Sequence, residues 1–251
     1  MLEFKIEPNA LANKVILVTG AGSGIGRTAA LSYAAAGATV VLLGRTTSKL
    51  EQVYDEIITL PNHAIPAIVP LDLQGATEAH YAELAHTIQT QFGRLDGLLH
   101  NASLLGALTP FEQIPQAMFQ EVMQVNVSAG FLLTKHLLPL LKMAQHSAII
   151  FTSSGVGRHG RAYWGPYAIS KFATEGMMQT LADELAGTHV RCNAINPGAT
   201  RTAMRASAFP AEDPRQLKTT ADIMPLYLYL MSDHSKEING QSLDAQPKPV
   251  L

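Results

Sequence analysis

The sequence predicts an α/β fold: a single doubly wound domain, its seven-stranded and mostly parallel sheet flanked by helices on both faces. Three observations carry that prediction. From Lys14 onward, short β-branched runs alternate with longer stretches of helical period, the pattern of βαβ units. The first of these runs leads directly into a glycine-rich turn and then a helix, as in a nucleotide-binding crossover. Finally, 251 residues with 47% hydrophobic content suit one large domain, and no linker, repeat or low-complexity segment divides residues 1–251.

Taken in order, Val15–Thr19 reads as the first strand, and residues 25–36 as a helix stopped by Gly37. A second strand covers 39–43. Ser48 with Glu51 three residues on forms a capping box for a helix reaching residue 60. Residues 64–71 give a strand interrupted by Pro66 and Pro70, and the prolines assign it to the periphery. A helix over 77–92 ends at Gly93, a strand covers 97–101, a long helix 115–141, a strand 148–153 and a helix 163–186. A strand at 190–195, a helix at 221–231 and a short strand at 241–244 complete the pattern. Residues 198–219, rich in Ala, Arg and Pro, read as a long loop of the kind that often covers a substrate.

Composition excludes several classes of function. Eighteen basic residues against twenty acidic ones give a net charge of -2, so nothing electrostatic recommends nucleic acid as a partner. The lone Cys192 cannot form an intramolecular disulfide and reads as a small buried hydrophobe. The N-terminal extension 1–13 carries Glu3 and Glu7 without a long apolar run, so it does not resemble a secretory signal. Lys135 and His136 interrupt the best apolar stretch, 131–141, below the roughly 18 residues a bilayer span needs. A cytoplasmic protein without a membrane partner is the expectation. Nine histidines show no metal-ligand spacing, and no metal is expected.

Chemistry concentrates in two places. Thr19-Gly20-Ala21-Gly22-Ser23-Gly24-Ile25-Gly26 lies between a strand and a helix, where glycine permits a tight turn and close approach of a pyrophosphate to free helix N–H groups. No Gly-Lys-Ser/Thr follows, which excludes a Walker-type phosphate loop. Further on, Ser154 stands thirteen residues before Tyr167, and Tyr167-Ala168-Ile169-Ser170-Lys171 places a phenol and an ammonium four apart on one helix face. At ~4 Å and an effective dielectric of ~20, such a pair interacts by ~4 kcal/mol, or ~3 pKa units, enough to bring the Tyr167 phenol near neutrality. Ser154 lies in Thr152-Ser153-Ser154-Gly155, which is not a hydrolase Gly-x-Ser-x-Gly elbow.

With these motifs in this order, the chain resembles the short-chain dehydrogenase/reductase family from Lys14 to about Ala245. The pattern includes Thr19-Gly20-x-x-x-Gly24-x-Gly26, Asp72, Asn101-Ala102, Asn126, Ser154, Tyr167, Lys171 and Pro197-Gly198. Segments 155–164 and 196–219 resemble a bacterial YciK-type subgroup. The resemblance implies a Rossmann-like fold and hydride transfer between a nicotinamide cofactor and a small-molecule carbonyl or alcohol. Tyr167 would be the general acid/base, and Ser154 would polarise the carbonyl. Lys171 would bind the nicotinamide ribose and lower the Tyr167 pKa. Asn126 would order a water linking Lys171 to solvent. Cofactor contacts fall to Gly20, Ser23, Gly24, Ile25 and Gly26, to Asp72 and Leu73 near the adenine, to Asn101 and Ala102, and to Tyr167 and Lys171. Pro197, Gly198, Thr200 and Thr202 would hold the carboxamide end.

Two departures stand out: His100-Asn101-Ala102-Ser103 replaces the usual Asn-Asn-Ala-Gly, and Leu243-Asp244-Ala245-Gln246 replaces Val-Asp-Gly-Gly. The second puts in doubt the tetramer contact that the family builds there. A homodimer or homotetramer through helices 115–141 and 163–186 is expected by analogy. Cofactor choice is read from the residues themselves. The second strand ends in Leu43-Gly44-Arg45, and Arg45 cannot accept the ribose hydroxyl bond that an acid makes in NAD enzymes. It can pair with a 2'-phosphate, with Thr46, Thr47 or Lys49 assisting, while Ser23 lacks the basic side chain some NADP enzymes carry there. NADP(H) is favoured over NAD(H).

For the substrate pocket, Leu104, Leu105, the 155–164 loop and the 204–209 lid are expected, including Arg158, His159, Arg161, Trp164, Met204 and Arg205. The arginines either bind an anionic substrate group or are solvated and bonded to local backbone; both readings stand. Two alternatives to carbonyl chemistry also stand: NADP sensing without turnover, and enoyl reduction. The four-residue Tyr–Lys spacing disfavours the latter.

Overall fold

The computed structural model describes residue 7 and residues 9–61 and 63–247. Residues 1–6 and 8 of the N-terminal extension lie outside the described residues. Seven strands form one sheet: β1 (Val15–Thr19), β2 (Thr39–Gly44), β3 (Ala67–Pro70), β4 (Gly97–His100), β5 (Ser147–Thr152), β6 (Val190–Asn196) and β7 (Ser242–Asp244). Their order is β3-β2-β1-β4-β5-β6-β7, and every pairing is parallel. β3 follows Pro66 and ends in Pro70 at the sheet edge, where a residue without an N–H breaks no interior ladder.

All five residues of β1 are apolar or hydroxylated and buried, because helices cover both faces of a parallel sheet. Ile16 and Val18 point into one core with α1 (Gly24–Ala35), α2 (Thr47–Ile58) and α8 (Met224–Met231). Val15 and Leu17 point into the other, with α3 (Glu78–Phe92), α5 (Ala129–Met143) and α6 (Gly165–Glu184). A strand that alternates between two apolar layers cannot slip by one residue without exchanging both faces, so β1 fixes the register of the sheet.

Strand order reverses between β1 and β4: the chain runs outward from β1 to β3, then returns to the opposite side of β1. Beyond the carboxyl ends of strands at such a reversal, the connecting loops diverge and leave a crevice.

Three local expectations are corrected by tertiary structure. The helix expected over 115–141 is α4 (Gln116–Met123), one π turn (Gln124–Ser128) and α5. A π turn inserts one residue per turn and is common at functional sites, and Asn126 sits inside it. The α2 helix starts at Thr47 behind Thr46, without a side-chain cap, so the Ser48–Glu51 box is not its start. Segment 198–219 is not structureless: it holds the short helix α7 (Ala203–Ala208) and a 3-10 turn (Pro214–Gln216). Arg201 Nε donates to Pro214 O at 2.7 Å, folding the segment back on itself.

Candidate active site

A cavity of about 410 Å³ opens at the carboxyl ends of β1, β2, β4, β5 and β6. Of the residues expected to bind cofactor, Gly20, Ser23, Gly24, Ile25, Arg45, Asp72, Leu73, Asn101, Ala102, Tyr167, Lys171, Pro197, Gly198, Thr200 and Thr202 line it. Gly26 does not. It sits in the first turn of α1 against Gly20 O and Asn101 Nδ2, where a Cβ would not fit, so it sets the closeness of helix and strand.

The glycine turn is shaped by backbone need. Gly20 has φ +67°, and a Cβ there would lie 3.0 Å from Ala102 Cα. Thr19 ties that turn to the next strand: its Oγ1 accepts from the N–H of Asn101 (2.9 Å) and Ala102 (3.0 Å) and donates to Leu99 O (3.2 Å). Asn101 is held from two strands, donating to Thr19 O at 3.3 Å and accepting from Thr152 Oγ1 at 3.4 Å. The first turn of α1 carries no acidic residue, leaving its N–H groups open to an anion. A cavity that joins this turn to a phenol and a buried lysine fits an extended dinucleotide.

At the β2 end, Arg45 is exposed and has no hydrogen bond or ion pair among the described residues. Lys49 is equally free and lies against the glycine turn, where a Cβ on Gly22 would come 2.9 Å from Lys49 Cβ. Asp72 Oδ1 accepts from Gln74 N at 3.1 Å, which turns the chain after β3.

Opposite, α6 presents Tyr167 and Lys171 on one face, both nearly buried. Lys171 Nζ donates to Thr152 O at 2.8 Å and lies 5.4 Å from the centre of the Tyr167 ring. Ser154, two residues beyond β5, faces Tyr167 and favours its ionised form. The expected lowering of the phenol by Lys171 is not met. Burial pushes Tyr167 up to about 12, opposed by Ser154, and burial lowers Lys171 to about 8, opposed by Glu175. Desolvation outweighs the pair attraction because both groups sit in the same dry wall and the ammonium is spent on a backbone carbonyl.

Asn126 lies behind that wall. Its Oδ1 accepts from Leu104 N at 2.7 Å, and its Nδ2 donates to Leu104 O and to Ser170 Oγ, each at 2.9 Å. Ser170 Oγ in turn donates to Tyr167 O at 2.7 Å. The π turn thus joins the Leu104 loop to α6. Asn126, Lys171, Thr152 and His100 surround a second cavity of about 20 Å³, large enough for one water. His100 is held neutral by burial, its pKa lowered to about 3, and its Nε2 faces Thr134 Oγ1 at 2.8 Å.

Of the expected substrate-pocket residues, Leu104, Leu105, Trp164, Met204 and Arg205 line the large cavity, but Arg158, His159 and Arg161 do not. Arg158 is taken by β7: it donates to Asp244 Oδ1 (2.7 Å) and to Ser242 Oγ (2.7 and 3.0 Å), with Glu175 Oε1 at 3.7 Å. Arg205 makes a two-point pair with Glu212, both bonds 2.6 Å, and its guanidinium lies 3.7 Å over the Phe209 ring. Arg161 sits over Trp164 and Phe209. Neither Arg158 nor Arg205 is a free anion site.

The sequence reading missed Thr19, Thr152 and Gln246. Thr19 stands in the glycine segment and was open to detection there. Thr152 acts through its carbonyl, which no residue type signals. Gln246 Nε2 reaches Pro197 O (2.8 Å), Ala199 O (3.0 Å) and Thr200 Oγ1 (3.2 Å), contacts 46 to 49 positions away in the chain.

Among the described residues, no helix is long and apolar enough to cross a membrane, and no three His, Cys, Asp or Glu side chains gather as a metal site. The family model described as short chain dehydrogenase matches residues 14–213. The chain is 55% identical over 247 residues to the uncharacterized oxidoreductase YciK of Escherichia coli K12, covering 98% of this chain and 97% of that one. It superposes with TM-score 0.93 on a short chain dehydrogenase from Shigella flexneri complexed with NADP, at 54% identity over 96% of this chain and 100% of the other. A short chain dehydrogenase from Escherichia coli CFT073 complexed with NADPH gives TM-score 0.93 at 55% identity, with the same coverage. With a glycine turn, a Ser–Tyr–Lys wall and a family match over most of its length, the chain belongs to the short chain dehydrogenase family of oxidoreductases.

Proposed function

We propose that the protein interconverts a carbonyl compound and its alcohol with NADP(H), using Tyr167 as general acid/base. The observation that supports this most directly is the convergence of Ser154, Tyr167 and Lys171 on one wall of the cavity that begins at the glycine turn. The NADP and NADPH complexes of its structural relatives support the choice of cofactor. So do Arg45 and Lys49, two unpaired cations beside the end of β2 that suit a 2'-phosphate.

When bound, the nicotinamide supplies or accepts the hydride. The protein's own groups do the rest. A phenol with its pKa at about 12 is fully protonated at neutral pH, and its proton goes to the carbonyl oxygen during reduction. Ser154 shares that oxygen and directs it toward the phenol. Lys171, still mostly charged at pH 7, favours the phenolate left behind and holds the ribose hydroxyls. One water in the cavity of about 20 Å³ beside Asn126 returns the proton through Lys171. Segment 198–219 covers the nicotinamide end, and Leu104, Leu105, Trp164 and Met204 give the substrate an apolar seat.

The reading extends to assembly as a homodimer or homotetramer through α4, α5 and α6. Those helices expose Phe119, Phe131, Ile169 and Phe172, apolar surface that a second copy would cover.

The test is NADPH and NADH consumption against a carbonyl panel, with a direct cofactor titration and the mass in solution of the same preparation. Tyr167→Phe is expected to lower turnover by about a thousandfold while NADPH binding changes less than about threefold. Tight NADPH binding without turnover on any carbonyl would replace this reading with a sensing role.

A further inference from the structure

The C-terminal strand presents two faces of different chemistry. Side chains alternate along a strand, so within β7 Leu243 faces one side and Ser242 and Asp244 the other, with Ala245 and Gln246 in the bend that follows. Leu243 and Ala245 pack into the apolar core under α1 and α8. The opposite side is polar, and each of its members grips an element of the active site. Ser242 Oγ donates to Glu175 Oε1 of the catalytic helix at 2.8 Å. Asp244 Oδ1 accepts from Arg158, in the turn after Ser154, and from Asn196 Nδ2 at 2.8 Å. Gln246, in the bend just past β7, reaches the loop after β6.

That last contact is the most concentrated of the three. The amide nitrogen of Gln246 has two hydrogens, and three acceptors of one short loop converge on it: Pro197 O, Ala199 O and Thr200 Oγ1. The loop is shaped to receive it. Gly198 has φ +70°, and a Cβ there would stand 3.1 Å from Gln246 Cδ. Pro197, Gly198 and Thr200 line the cavity beyond Tyr167. The usual family residue at this position is glycine, which offers no side-chain donor, so the two carbonyls would have no such partner.

We propose that Gln246 is a positioning residue that locks loop 197–200 in the shape that receives the nicotinamide end of the cofactor. The proposal rests on the cofactor reading above for the identity of the ligand, though not for the loop's rigidity. Gln246 touches neither substrate nor cofactor and acts through the loop backbone. The polar face of β7 then serves as a strap from the C-terminal strand to α6, the Ser154 turn and the loop after β6.

Two variants test this. Gln246→Ala removes the amide, and Gln246→Glu keeps the shape but replaces both N–H donors with a carboxylate facing carbonyl oxygens. In cofactor-free protein, amide exchange at residues 199–202 is expected to accelerate about tenfold in each, with exchange in β1, β4 and β5 unchanged. NADPH titration is expected to give a dissociation constant raised about tenfold, the loss of one or two net hydrogen bonds' worth of preorganisation. Unchanged loop exchange and unchanged NADPH affinity in both folded variants would overturn the proposal. Loss of the fold in both would also overturn it, by making Gln246 a framework residue. If wild-type protein failed to bind NADPH, the cofactor reading would fall, and the exchange measurement would still decide the role of Gln246.

Discussion

The two ends of the cavity treat positive charge in opposite ways. Beside β2, Arg45 and Lys49 stand on the rim, without partners among the described residues. Beyond β6, Arg205 on the cavity wall is held by Glu212 and Phe209, and Arg158, outside the cavity lining, by Asp244, Ser242 and Glu175. A hydrated cation on a rim keeps its charge available for a ligand. A cation already bonded to carboxylates has its donors occupied and serves the framework instead. Counting arginines near a pocket therefore misleads about ligand charge; what matters is which of them still have open donors. By that measure Arg45 and Lys49 beside β2 keep open donors for an anion, whereas Arg158 and Arg205 do not.

The sharpest way to break this comparison is to remove the framework arginine. Arg158→Ala leaves the nearly buried Glu175 and the strand residue Asp244 without their cation, and is expected to lower unfolding stability by about 3 kcal/mol. Urea denaturation at pH 7 measures it. A stability change below about 1 kcal/mol, together with a loss of affinity for anionic substrates, would return Arg158 to the binding role considered from the sequence.

That contrast also separates what local sequence encodes from what it does not. β1 is found at Val15–Thr19 as expected, and α6 and β6 begin or end within two residues of their expected limits, because the strands are continuous apolar runs and turn residues bound each element. The glycine turn and the Tyr167–Lys171 spacing are equally local. By contrast, the π turn at Gln124–Ser128 comes with bonds from Asn126 to Leu104 and Ser170, 22 and 44 residues distant. Arg158 finds Ser242 and Asp244 at separations of 84 and 86. Gln246 was visible only as a departure from a family pattern, with nothing nearby to indicate its partners. Side-chain identity announces the chemistry available; the fold decides where it is spent.

Lys171 sharpens the comparison from within the buried end, since it is a nearly buried cation without an ion-pair bond. Its folded pKa, at about 8, lies below the ordinary lysine value of ~10.4 in the unfolded chain. Below about pH 8 both states are protonated, and the native state carries the full cost of a desolvated ammonium. As pH rises from about 8 toward ~10.4 the native state releases its proton first, and stability climbs. Tyr167 acts in the other direction only above about pH 10, where the unfolded phenol ionises and the buried one does not. Wild-type stability relative to Lys171→Met should therefore rise by about 2 kcal/mol between about pH 7 and pH 9.5. A flat difference across that range would show that Lys171 is not paying for burial. In catalysis the same proton loss predicts that carbonyl reduction declines above about pH 8 in wild type.

The smallest expected effect falls at the open end. Arg45→Ala should raise the NADPH dissociation constant about tenfold, about 1.4 kcal/mol for one exposed charge-assisted contact, while NADH binding, which has no 2'-phosphate to lose, stays the same. Raising the ionic strength should shrink that gap, because a rim charge is screened where a buried one is not. Arg205→Ala, removing an arginine that lines the same cavity but is bound to Glu212, should leave both affinities within about twofold and cost less than about 1 kcal/mol of stability. Equal losses of NADPH affinity from the two variants would erase the distinction between open and occupied donors. A loss confined to Arg45→Ala, and confined to NADPH, would mean that the free cation beside β2 selects the phosphate while the paired cations across the cavity hold the walls in place.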